Sequence, residues 1–147
     1  MGIIPHVFRA MNACPEVVEA TLLFEEGTKS YLDPKLWELA YLKASSLNGC
    51  QPCVNYHAKK GKQSGLTPEQ LQAVETGGSM ESFDDLEQGV LRFVEQWIVG
   101  GSVDSELVQR LCSELGESGL TALAATISLA TWINQFTKVA EILRRSR

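Results

Sequence analysis

The chain has 147 residues, with 13 Lys and Arg against 18 Asp and Glu and a net charge of −5. One domain with its own core is expected at this length, and 44% hydrophobic against 21% charged residues excludes disorder. The acidic balance argues against a nucleic-acid binder, and no apolar run approaches the ~20 residues of a membrane span.

The opening stretch, Met1-Gly-Ile-Ile-Pro-His6, lacks the basic and apolar regions of a secretory leader. Gly2 invites a myristoylation reading, but that pattern wants Ser or Thr where His6 stands. His6 reads as a surface or interface residue of an N-terminal arm. A cytoplasmic location is expected, where a close cysteine pair points to catalysis or metal binding, not to a disulfide scaffold.

Pro15 with Glu16 and Glu19 opens a first helix that Gly27 closes. Asp33-Pro34 is an N-cap and N1 pair for a second helix, which runs to Leu47 and stops at Asn48-Gly49. A third begins near Cys50-Gln51-Pro52 and reaches about Ser64, with Gly65 behind it. Thr67-Pro-Glu-Gln70 is a capping box for a fourth, ending at Gly77-Gly78. Ser82 caps a fifth that runs to Gly100-Gly101, a sixth covers about Asp104 to Leu115, and a seventh runs from about Ser118 to Arg144. The seventh is apolar nearly all round and reads as the central core helix or a subunit interface. Lys138, Arg144, Arg145 and Arg147 complement its C-terminal dipole. No segment alternates with period two between turns, so the predicted fold is all-α, about seven helices with no sheet.

The chemistry concentrates in the 20 residues from Glu38 to His57. On a helix Cys50 and Cys53 lie ~60° apart with Cα atoms about 5 Å from each other, within reach of a disulfide, and His57 follows on the same face. The first turn of a helix favours an anion and hence a thiolate. His57, one turn beyond Cys53, is placed to take the thiol proton, directly or through a water. Glu38 lies among Trp37, Leu39, Tyr41 and Leu42, which should withdraw it from water and suit it to relaying a proton.

Other readings stand beside this one. The cysteines could be packed core thiols, or half of a zinc site completed by His57 and by His6 or Cys14. A thioredoxin-like site would need a βαβ context that a helical chain denies. Ser45 and Ser46 have no nucleophile elbow around them, and the paired glycines follow helices, so they are stops and not phosphate loops. Cys14 and Cys112 read as isolated buried thiols.

The spacing Glu-x11-Cys-x-x-Cys-x3-His resembles the core motif of the AhpD-like alkylhydroperoxidases, within the carboxymuconolactone decarboxylase superfamily. Glu38-Leu-Ala-Tyr-Leu, Asn48-Gly49 and Gly65-Leu-Thr-Pro-Glu-Gln70 are similar to that family's flanking segments, as are Val90-Leu-Arg-Phe93 and Leu129-Ala-Thr-Trp-Ile-Asn134. The resemblance implies a peroxide-attacking Cys53, Cys50 as its disulfide partner, His57 as base and Glu38 as relay acid, with no metal or organic cofactor. It also implies a hydroperoxide substrate, a dithiol or thiol-protein donor of the dihydrolipoamide type, and a homo-oligomer (trimer, hexamer or dimer). Pro52 departs from the Tyr or His that many members carry before the second cysteine, and removes a donor there. The superfamily's decarboxylases generally lack the cysteine pair, so a lyase using His57 and Glu38 is the alternative activity. A non-catalytic thiol or zinc-binding subunit is the alternative outside catalysis.

Overall fold

Proline and polar side chains set where the helices begin. A computed structural model describes residues 4–147, so Gly2 lies outside the described residues. Seven α-helices and no strand are present among the described residues: α1 Pro5–Met11, α2 Pro15–Lys29, α3 Pro34–Leu47, α4 Gln51–Gln63, α5 Pro68–Thr76, α6 Asp85–Glu95 and α7 Ser105–Arg145. Proline stands in the first turn of each of the first five, where its missing N–H has no intrahelical partner to lose. Asp33 Oδ2 accepts the backbone N–H groups of Lys35 and Leu36 at 3.0 and 3.4 Å. Thr67 and Gln70 close the expected capping box.

The structure corrects several boundaries. The N-terminal arm is a helix, and His6 within it meets Glu141 of α7 at 2.6 Å. Gly27 does not close α2, which continues to Lys29. Asp84, not Ser82, caps α6, through a capping box with Glu87, while Ser82 ends a short 3₁₀ turn. Past Glu95 the chain forms a π turn, Gln96–Gly100, before Gly101 in the left-handed conformation ends it. The predicted sixth and seventh helices are two arms of α7, broken at Gly116.

The central helix is α3, not α7. Trp37, Leu39, Ala40, Tyr41 and Leu42 are all buried, on every side of α3. One side packs with α1, α2, α6 and α7 into the main core; the other, through Leu39 and Leu42, packs on Val54, Leu66, Val74, Phe83 and Leu91. A helix walled on all sides carries Glu38 into the interior, and α4 packs directly against it.

Candidate active site

Gly49, left-handed at φ 68°, ends α3, and the Cys50 N–H returns to the Ser45 carbonyl oxygen at 3.1 Å. That turn delivers Cys50 to the N-cap position of α4, with Pro52 and Cys53 in its first turn. The two cysteines form a disulfide, with Cα atoms 5.3 Å apart, and both are buried. One turn on, His57 Nδ1 lies 2.8 Å from Glu38 Oε2, and both side chains are withdrawn from solvent. The structure therefore brings all four predicted residues to the α3–α4 contact.

An aromatic wall holds the imidazole. Tyr41 stacks on His57 with ring centroids 3.8 Å apart, and Tyr56 meets it edge-on at 5.1 Å. Trp37, 6.0 Å from His57, donates its indole N–H to Thr28 Oγ1 at 2.9 Å, which fixes α3 against α2. Burial first, then the Glu25 and Glu38 carboxylates, pushes the Tyr41 phenol well above its ordinary value. Tyr56 moves the same way, by burial and then by Glu38 and Glu25.

Helix α7 supplies Thr137, which motif reading did not single out, and contacts through Thr131 and Asn134 of the family-like 129–134 segment. Thr137 Oγ1 lies 3.7 Å from Cys53 Sγ and donates to the Ile133 carbonyl oxygen at 2.7 Å. Asn134 donates to Ser45 Oγ at 2.9 Å and accepts from the Asn48 amide at 3.0 Å. Asn48 also donates to Thr131, and its carbonyl oxygen accepts from Lys138 at 2.6 Å. Lys138 thus caps α3 instead of its own helix, whose last turn carries Arg144 and Arg145. Thr131, Asn134, Thr137 and Lys138 recur at helical spacing, and that polar stripe in an apolar helix was the available signal.

The proposed extra zinc ligands lie elsewhere: His6 is on Glu141, and Cys14 is exposed at the N-cap of α2. Cys14 is therefore not a buried thiol, because it sits in the turn between α1 and α2, and Cys112 is half-buried. Among the described residues no three His, Cys, Asp or Glu side chains converge as a metal site.

The carboxymuconolactone decarboxylase family model matches residues 15–96, more than half of the chain. The chain belongs to this family. Among curated protein sequences none matches it. A solved structure of a protein of unknown function from Agrobacterium tumefaciens, provisionally assigned to antioxidant defence as an AhpD, superposes with a TM-score of 0.76. It is 21% identical, with 92% of each chain covered. The debrominase Bmp8, solved as a cysteine-to-alanine variant with 2,3,4-tribromopyrrole, gives 0.75 at 15% identity, covering 89% of this chain and 72% of its own. At these identities the likeness establishes an AhpD-like all-α fold.

Proposed function

We propose that this carboxymuconolactone decarboxylase family member is a thiol-dependent hydroperoxide reductase. The observation that supports it best is a CxxC pair, able to close as a disulfide, in the first turn of α4 and one turn ahead of the buried His57–Glu38 pair. In the reduced state the Cys53 thiolate attacks the terminal peroxide oxygen. The S–O bond forms as the O–O bond breaks, Cys53 becomes a sulfenic acid, and the alkoxide leaves with a proton as an alcohol. The Cys50 thiol then displaces water from that sulfur, forming the disulfide. An external dithiol of the dihydrolipoamide type returns both cysteines to thiols and is itself oxidised. His57 takes the Cys53 proton, and Glu38 holds the ring and carries the proton onward. No resident cofactor enters the cycle, and the reading places it in a reducing cytoplasm.

One equivalent of hydroperoxide should close the Cys50–Cys53 bond of reduced protein, and in Cys50→Ser a dimedone adduct should sit on Cys53. Labelling of Cys50 in Cys53→Ser, with none on Cys53 in the reciprocal variant, would invert the assignment. Glu38→Gln should slow turnover by roughly 10²–10⁴-fold. A lyase would keep its activity in the double serine variant, and a zinc subunit would be purified with one tightly held metal ion per chain.

A further inference from the structure

Cys50 sits on the short turn that joins α3 to α4, and the backbone bonds of that turn are local. The N–H groups of Asn48, Gly49 and Cys50 return to the carbonyl oxygens of Ala44, Ser46 and Ser45 at 2.8, 3.1 and 3.1 Å. Helix α7 fastens the turn from across the fold. Asn134 donates to Ser45 Oγ and accepts from the Asn48 amide, which also donates to Thr131 Oγ1 at 3.0 Å. Lys138 Nζ donates to the Asn48 carbonyl oxygen. At ~100° per residue, Thr131, Asn134 and Lys138 fall within ~60° of one another, so one edge of α7 faces the turn.

Asn134 is the informative member. It is fully buried, where an amide is costly unless its hydrogen bonds are made, and its amide nitrogen and oxygen each end on this turn. Packing α3 on α7 does not require it, because the two helices already share the main apolar core. The Ser45 hydroxyl, moreover, has an acceptor of its own in the Tyr41 carbonyl oxygen at 2.8 Å. What the turn carries accounts for the expense. Opening the disulfide releases Cys50 from Cys53, and an unfastened turn would then gain conformational freedom that closure must remove. Side chains that hold the turn in both states keep the thiols facing each other, and preorganisation of this kind raises the effective concentration of one thiol at the other.

We propose that Thr131, Asn134 and Lys138 are positioning residues, which hold residues 45–50 so that Cys50 stays within bonding reach of Cys53 when the disulfide is open. The proposal concerns the closing of the pair and is independent of the peroxidase reading. Equilibration with glutathione tests it without peroxide. Two glutathione thiols reduce the bond and leave as glutathione disulfide, and alkylation with mass spectrometry gives the fraction closed. Thr131→Val and Asn134→Ala change no charge, and each leaves Asn48 and Ser45 with a hydrogen-bond partner. Each should lower the equilibrium constant for closure at least threefold. The double variant should lower it at least tenfold, about 30 mV for a two-electron couple. Thr131→Ser should restore the wild-type constant. Lys138→Met should lower it too, whereas loss of its charge alone would act in the opposite sense, by disfavouring the thiolates. Thr126→Val is the control: it removes a buried α7 hydroxyl that bonds within its own helix, to the Ala122 carbonyl oxygen, and should leave the constant unchanged. A constant unmoved in both Thr131→Val and Asn134→Ala overturns the proposal and reduces the brace to packing. If Asn134→Ala does not fold, Thr131→Val decides alone. An equal fall in Thr126→Val also overturns it, since general loosening of α7 would then be the cause.

Discussion

Thr137 has one hydroxyl proton and two acceptors in view. With the disulfide closed, that proton rests on the Ile133 carbonyl oxygen, which also accepts the helical N–H of Thr137. Once Cys53 is a thiolate, the hydroxyl can rotate and donate to sulfur without leaving the carbonyl unpaired. A hydrogen bond to a charged group is worth about 1.5–3 kcal/mol, or about one to two pH units. Thr137→Val should therefore raise the pH midpoint of Cys53 alkylation by about that much in a Cys50→Ser background, and Thr137→Ser should restore it. An unchanged midpoint would reduce Thr137 to packing. Tyr41 makes a different pH prediction. Its buried phenol is held neutral, so the native state binds that proton more tightly than the unfolded chain does. The stabilisation is complete below the unfolded value of about 10 and is lost as pH rises from there through the folded value, by about 1.4 kcal/mol per pH unit. Tyr41→Phe keeps the ring on His57 and should remove this alkaline loss, read as urea midpoints at pH 9 and pH 11. Cys50, Cys53, His57 and Glu38 were legible in the sequence because they share one stretch of two adjacent helices. Thr137 lies 84 residues from Cys53, and only packing brings it there.

At the scale of the element, chain punctuation carried most of the prediction. Asp33-Pro34, Thr67-Pro68 and Gly77 act through local backbone chemistry, so their sequence positions suffice to place helix ends. The errors arose where two local signals competed. Ser82 and Asp84 both precede apolar residues, but only Asp84 has a Glu three residues on to return the capping bond. Pro5 starts α1 with no side-chain cap, and the helix is held by Val7 and Met11 in the core, which no local rule detects. The break in α7 is a further case. Gly116 adopts φ 75° and ψ 169°, a region open essentially to glycine alone, and its added Cβ would meet nothing within 4 Å. The backbone and not crowding therefore fixes the residue. Gly116→Ala should cost about 1–3 kcal/mol in urea denaturation, with helical content preserved. A neutral substitution would mean that the break reforms without strain and that the two arms of α7 are loosely set.

Over the whole molecule, the all-α class followed from periodicity, while the identity of the central helix did not. The second arm of α7 reads in sequence as apolar nearly all round, yet α3 is the helix that is surrounded, because part of the apolar surface of α7 faces outward along α2. The core around α3 extends through α1, α2, α6 and α7 and does not depend on the cysteines for closure. A disulfide spanning a separation of three residues removes little chain entropy: a loop of four gives about 2 kcal/mol on the polymer estimate. Reduction by dithiothreitol should then leave the far-ultraviolet circular dichroism unchanged and lower the unfolding free energy by about 2 kcal/mol or less. That is the condition under which a pair can cycle without unfolding its host, since both redox states must keep His57 on Glu38. Urea unfolding with and without reductant measures it. If the reduced protein loses its cooperative transition, the bond is a structural staple, and a catalytic cycle that opens it on every turnover is excluded.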